Sequence, residues 1–135
     1  MLKKLRERSG DFVLEGAWKL LLTCALIALF ISVLGLAFQS NKLAVIADDM
    51  ARSIEISGQV DSSADAKLQE LKTASGLAVA MNIDANYSAG GNRIQFGDPF
   101  TVTISYTGKL GVGGILSLPV PLSSSVVGRS EKYWK

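Results

Sequence analysis

Four residues near the amino terminus have the types and spacing most capable of chemistry. Gly10 is followed by Asp11, a carboxylate, Glu15, stands five residues past the glycine, and Lys19 lies four residues further on. Hydrolysis of the peptide bond between Gly10 and Asp11 would free a new α-amine on Asp11 and make Glu15 the fifth residue of the shortened chain. A glycine at the cut suits a protease cleft beside a membrane surface, because it brings no side chain. Glu15 borders an apolar run, and an ionised carboxylate near hydrocarbon is costly enough to count as a functional candidate that needs a partner. Lys19 can be that partner within the helix, since Glu before Lys at four residues is the favourable order, worth about 0.2–0.5 kcal/mol on an exposed helix. A further alternative is that Asp11, Glu15 and Lys19 all sit among lipid headgroups, where none of them is strained.

The element that must position these groups is the run from Leu20 to Phe38, nineteen consecutive residues without a charge. As a helix it spans roughly 28 Å, against a hydrocarbon core of about 30 Å. Lys3, Lys4, Arg6 and Arg8 precede it, so the positive-inside rule keeps the amino terminus in the cytoplasm and exports residues 39–135. A single-pass cell-membrane protein with an extracellular C-terminal domain is expected. The rival is a secretory signal peptide with Gly35, Leu36 and Ala37 as its small-x-small cleavage site, although this apolar run is longer than the ~7–15 residues usual for such signals. Within the run, Ala25, Ala28, Ser32 and Gly35 fall at helical spacings on one side, a strip of small residues over which a second helix could approach closely. Trp18 reads as an interfacial anchor and Cys24 as a small apolar residue.

Of the 135 residues, fourteen are Lys or Arg and twelve are Asp or Glu, and beyond Phe38 the two signs balance at nine each. A neutral body without a basic stripe argues against nucleic-acid binding, which depends on neutralising many phosphates. Without histidine, and with one cysteine, the chain has no intramolecular disulfide, no Cys/His zinc site and no imidazole chemistry. Gly108, Gly111, Gly113 and Gly114 are followed by no Lys-Ser/Thr pair, so they read as a bend or bulge and not as a phosphate cradle. Asp84 and Asp98 stand beside turn residues and read as loop caps. Asn86-Tyr87-Ser88 fits a glycosylation sequon of low specificity, and the closing Tyr133-Trp134-Lys135 reads better as a packed tail than as an interaction tag. The expectation is therefore a protein that is not an enzyme, with no metal, no cofactor and no small-molecule substrate.

Beyond the run, Leu43, Ile46, Met50 and Ile54 recur at steps of three and four with charged residues between them. This predicts one long helix over 11–56, interrupted if anywhere at Gly35 or near Gln39 to Asn41, and stopped by Gly58. Residues 61–76 predict a short helix capped by Asp61 to Ser63 and ended by Gly76. Leu77 to Ile83, Arg93 to Phe96 and the alternating Phe100 to Thr107 predict strands. Val112 to Leu118 and Val126 to Tyr133 are weaker strand candidates on either side of the breakers Pro119 and Pro121. The fold class is α+β: a long N-terminal transmembrane helix with an amphipathic extension, then a short helix and a small antiparallel sheet. The domain plan is a leader over 1–10, the long helix over 11–56 with its span at 20–38, and an exported domain over 57–135.

A basic leader, a glycine at the cut, a glutamate five residues on and an unbroken apolar helix resemble a type III (prepilin) signal. Together with FGDPFTVTISYTGKLGVGG, LPVPL and GRSEKYWK, the segment RSGDFVLEGAWK makes the chain resemble the TadE-like minor pilins of tight-adherence (Flp-type) pilus loci. The likeness is greatest to a small branch found beside Tad-type secretion genes in Gram-positive bacteria. This resemblance implies a structural pseudopilin of the type IV pilus class, trimmed by a prepilin peptidase between Gly10 and Asp11. Other pilin-like subunits and assembly-platform proteins are the implied partners, and Glu15 is the implied assembly carboxylate, meeting the α-amine of a neighbouring subunit. Lys19 departs from the charge-free helix usual beyond that glutamate, which fits a minor subunit better than a major one. The competing expectation is an uncleaved, membrane-anchored binding module.

Overall fold

The computed structural model describes residues 2–88, 91–112, 114 and 116–135, with side chains from residue 12 onward. The elements run α1 (Leu2–Ser57), α2 (Ser62–Ser75), β1 (Ala80–Ala85), β2 (Pro99–Val112) and β3 (Leu116–Arg129), which makes the fold α+β. They form two compact units. One joins α1 up to Leu36 with the chain from Lys109 to Leu118, and the other holds Ala37–Gly108 and Pro119–Lys135.

In the first unit, α1 presents its apolar side chains outward. Leu20 is 70% exposed and Phe30 64%, and none of the most apolar window is buried within the chain. So large an apolar surface is unfavourable in water, and α1 is long and apolar enough to cross a membrane. The helix begins at Leu2, nine residues before the expected start at Asp11. The strong helix formers Leu, Lys, Arg and Glu between residues 2 and 8 account for this extension. It also continues unbroken through Gly35 and through Gln39 to Asn41, where an interruption was conceivable.

In the second unit, the amphipathic part of α1 buries Leu43, Ile46, Ala47, Met50, Ala51 and Ile54 along one face and leaves Asp48, Asp49 and Arg52 in solvent. Phe100, Val102 and Ile104, the inward residues of β2, complete the core with Ile94, Leu77, Val79, Ala64 and Leu68. The predicted caps of α2 are in place. The Asp61 side chain accepts a hydrogen bond from the Ser63 backbone, and Gly76 closes the helix at φ 70° with its N–H on the Lys72 carbonyl. Hydrogen bonding from the Ser63 hydroxyl and then its backbone N–H favours the ionised Asp61 and lowers its pKa below the ordinary value.

The sheet order is β1-β2-β3, with β1 antiparallel to β2 in a register running from Ala80 opposite Ser105 to Ala85 opposite Phe100. Three strand predictions need correction. β1 starts at Ala80 and not at Leu77, because a tight turn from Leu77 to Val79 uses the backbone before the ladder begins. Arg93 to Phe96 form no strand. Arg93 and Ile94 make single bridges to Gln59 and Tyr87, and the chain bends at once through Gly97. Pro119 and Pro121 break nothing, since β3 passes through both. Being two apart, they turn their nitrogens to the same side, and an edge strand has one side that needs no ladder donors.

α1 ends where the chain's tail arrives. Gly58, at φ 65°, donates to the Ile54 carbonyl, and its own carbonyl accepts from the indole Nε1 of Trp134 at 3.1 Å. Arg93 lies 4.6 Å from the centre of the Trp134 ring, and Ser130, almost fully buried, donates through its hydroxyl to the Ile94 carbonyl. A side-chain carbon on Gly58 would fall 2.5 Å from Cβ of Lys132, so only glycine admits the tail here.

Candidate functional site

The groups singled out by their spacing lie in the first unit. Glu15 and Lys19 are one helical turn apart on α1, and the Lys19 ammonium donates to Glu15 Oε1 at 2.7 Å. Both side chains are largely exposed, Lys19 at 72% and Glu15 at 64%, so the pair is open to exchange with other charges. Phe12 and Trp18 beside them are exposed as well. Gly10 and Asp11 belong to the stretch of α1 whose side chains lie outside the described residues. The Thr23 hydroxyl donates to the Lys19 carbonyl at 2.8 Å, and Cys24 is an exposed free thiol.

The strip of small residues divides into two pairs. Ala25 and Gly35 are exposed, and no atom lies within 4 Å of where a Cβ on Gly35 would stand. Ala28 and Ser32 are half-covered, as is Leu36 one turn on. What reaches them is this chain's own hairpin. The Ser32 hydroxyl is placed to donate both to the Ala28 carbonyl of its own helix, at 3.0 Å, and to the carbonyl oxygen of Gly111 in β2. Gly111 is itself tightly enclosed, because an added Cβ would overlap the Leu116 carbonyl of β3. The spacing of the strip suggests close approach of a second helix and gives no sign of this hairpin. The available signal was the absence of charge from Leu110 to Gly128.

The remaining candidates have structural surroundings. Gly108 and Gly111 lie in β2, Gly114 forms part of the hairpin turn at φ 80°, and Gly113 is outside the described residues. The backbone of Asp98 accepts from Ser130 N–H and donates to the Gln95 carbonyl, while Asp84 pairs with Thr101 across the sheet. Among the described residues no group of three Asp, Glu, Cys or His side chains could hold a metal ion. An apolar groove of about 410 Å³ lies in the second unit between α1 and α2, lined by Phe38, Val45, Ile46 and Leu71 with Lys42 at its rim.

These features define an α+β protein whose apolar N-terminal helix could span a membrane and whose helix-on-sheet body has its own core. The chain belongs to the family described as Domain of unknown function (DUF4320), whose model matches residues 20–135. The matched segment opens on the first residue of the uncharged run, so Gly10, Asp11, Glu15 and Lys19 lie upstream of it. No curated protein and no solved structure matches the chain.

Proposed function

We propose that the chain is a non-enzymatic minor pilin or pseudopilin, TadE-like in kind, of a Flp-type pilus or a related secretion apparatus. It inserts with its amino terminus in the cytoplasm and its C-terminal body outside. A prepilin peptidase trims it after Gly10, and it assembles with other pilin-like subunits through the apolar helix. The observation that carries this reading is the placement of Glu15. It is an exposed carboxylate at the foot of an uncharged helical run, held among the described residues by a lysine on its own helix. Such a pair is worth about 0.2–0.5 kcal/mol, little enough for the α-amine of a neighbouring subunit to replace Lys19. Two further features support the reading: α1 is continuous from the run into the folded body, and its outward face is covered by nothing of its own over most of the run.

A second reading is an uncleaved, membrane-anchored binding module. It is favoured by the start of α1 at Leu2, because a protease must unwind a helical segment before cutting it, and by the local closure of Glu15 on Lys19. Amino-terminal sequencing of the protein from its native membrane decides between them. Asp11 as first residue supports the pseudopilin, Met1 the anchored module, and Phe38 a domain released from a signal peptide. With a prepilin peptidase present, Gly10→Ala should abolish trimming, and unchanged gel mobility would refute the assignment of the cut. Glu15→Gln should still be trimmed but lose crosslinking to partner subunits. Normal crosslinking in that variant would leave Glu15 as the partner of Lys19 alone.

A further inference from the structure

We infer that the groove between α1 and α2 holds a phospholipid of the bilayer's outer leaflet, with one acyl chain along the apolar wall and the phosphodiester on Lys42. The inference rests on the reading that Leu20 to Phe38 spans a bilayer with the C-terminal body outside. It concerns the chain while it resides in the membrane, whether or not it is trimmed.

Position is the first argument. The groove lies wholly within the second unit, and its wall begins at Phe38, the last residue of the uncharged run. Because α1 is unbroken here, Lys42 stands about 6 Å and Val45 about 10 Å beyond Phe38 at the helical rise. The headgroup region adds roughly 5–7 Å to each side of the hydrocarbon. Lys42 is therefore at the level of the phosphates, and the wall carries the apolar character of the leaflet outward past Phe38. Phe38 and Val45, two helical turns apart on one face, are 68% and 60% exposed, and a lipid chain lying against them removes that surface from water.

Charge complementarity is the second. The groove, about 410 Å³ in volume, is lined by apolar side chains from both helices, Leu71 and Ala74 on α2 among them, with Lys42 as its one charged residue. Among the described residues no carboxylate lies within 4 Å of the Lys42 ammonium, and its hydrogen bond to the Ser75 carbonyl is long, at 3.4 Å. An ammonium has three donors, so a phosphodiester oxygen can be accepted beside that carbonyl as a charge-assisted partner. An apolar trough with one cation at its rim complements an acyl chain that ends in an anion. A second copy of this chain fits less well. At the same height it would set Lys42 against Lys42, and α1 carries no carboxylate between Glu15 and Asp48. Lowering the copy until its Asp48 met Lys42 would sink it about 9 Å and draw its own Lys42 below the hydrocarbon border.

The test uses the full-length chain in phosphatidylcholine vesicles containing a trace of the same lipid with a photoactivatable diazirine on one acyl chain. Adducts are mapped by mass spectrometry. They should appear on the run over 20–38 and also on α2 over 71–75. Ala74→Phe, which fills the groove from an exposed position, should remove the adducts on α2 and leave those on the run. Lys42→Gln should lower the α2 adducts about tenfold, the worth of one charge-assisted hydrogen bond, and Lys42→Arg should restore them. Adducts confined to the run overturn the proposal and leave the spanning helix standing. Adducts on α2 that survive Ala74→Phe come from lipid passing over the surface and overturn it as well, and an unchanged yield in Lys42→Gln overturns the phosphodiester contact. If Ala74→Cys in a Cys24→Ala background forms disulfide-linked dimers in place of lipid adducts, a second copy occupies the groove and the proposal is overturned. If the run itself takes no adducts, the spanning helix fails and the groove lipid falls with it.

Discussion

Replacement of Gly58 by alanine should cost far more than the same change at Gly76, although both glycines close helices in the left-handed region, at φ 65° and φ 70°. The left-handed conformation alone costs a residue with a Cβ roughly 1–2 kcal/mol, and that is all Gly76→Ala should lose, because its added carbon meets no atom within 4 Å. At Gly58 the added carbon stands 2.5 Å from Lys132 Cβ, where carbon atoms settle about 3.5–4.0 Å apart, so the tail backbone must move by at least ~1 Å. That movement breaks the Trp134–Gly58 hydrogen bond, worth about 0.5–1.5 kcal/mol. It also loosens the stacking of Arg93 on the indole, worth about 0.5–1 kcal/mol. The expected loss is therefore about 2–4.5 kcal/mol at Gly58. Denaturant unfolding of the full chain in detergent micelles, followed by Trp134 fluorescence in a Trp18→Phe background, reads both variants. Equal losses at the two glycines would refute the reasoning, since the tail contact would then contribute nothing.

Phe100→Ala empties the centre of the helix-on-sheet core, where the ring is 1% exposed, and should cost about 3–5 kcal/mol in the same assay without releasing the protein from membranes. Asp61 has its folded-state pKa depressed, so its capping contribution is complete above the ordinary carboxylate value and disappears as pH falls through the lower, folded value. Acid should therefore weaken the wild-type second unit by this route. Asp61→Asn, which keeps a capping oxygen but does not titrate there, should have a flatter acid limb in unfolding measured against pH.

Local chemistry made much of this fold legible in the sequence. Asp61 and Gly76 mark the ends of α2 by their own hydrogen-bonding and backbone preferences, and the alternation from Phe100 to Ile104 identifies the buried face of β2. The stripe from Leu43 to Ile54 likewise announces the face that meets the sheet. What escaped depends on partners distant in the chain. Pro119 and Pro121 look like breakers until β3 is known to lie at an edge, and Arg93 to Phe96 look like a strand until the turn at Gly97 is seen. At the candidate site, the pairing of Glu15 with Lys19 follows from their spacing of four. The contact between Ser32 and Gly111 does not, because seventy-nine residues separate them.

The two prolines of β3 also restrict how copies of this chain can meet. A sheet grows by offering a neighbour a row of amide donors along its free border, and at 119 and 121 that row has no hydrogen to give. Strand-by-strand stacking of one body onto another is thereby discouraged along this border. A neighbour's strand would find its amide donors at the opposite border instead, along β1, whose six residues include no proline.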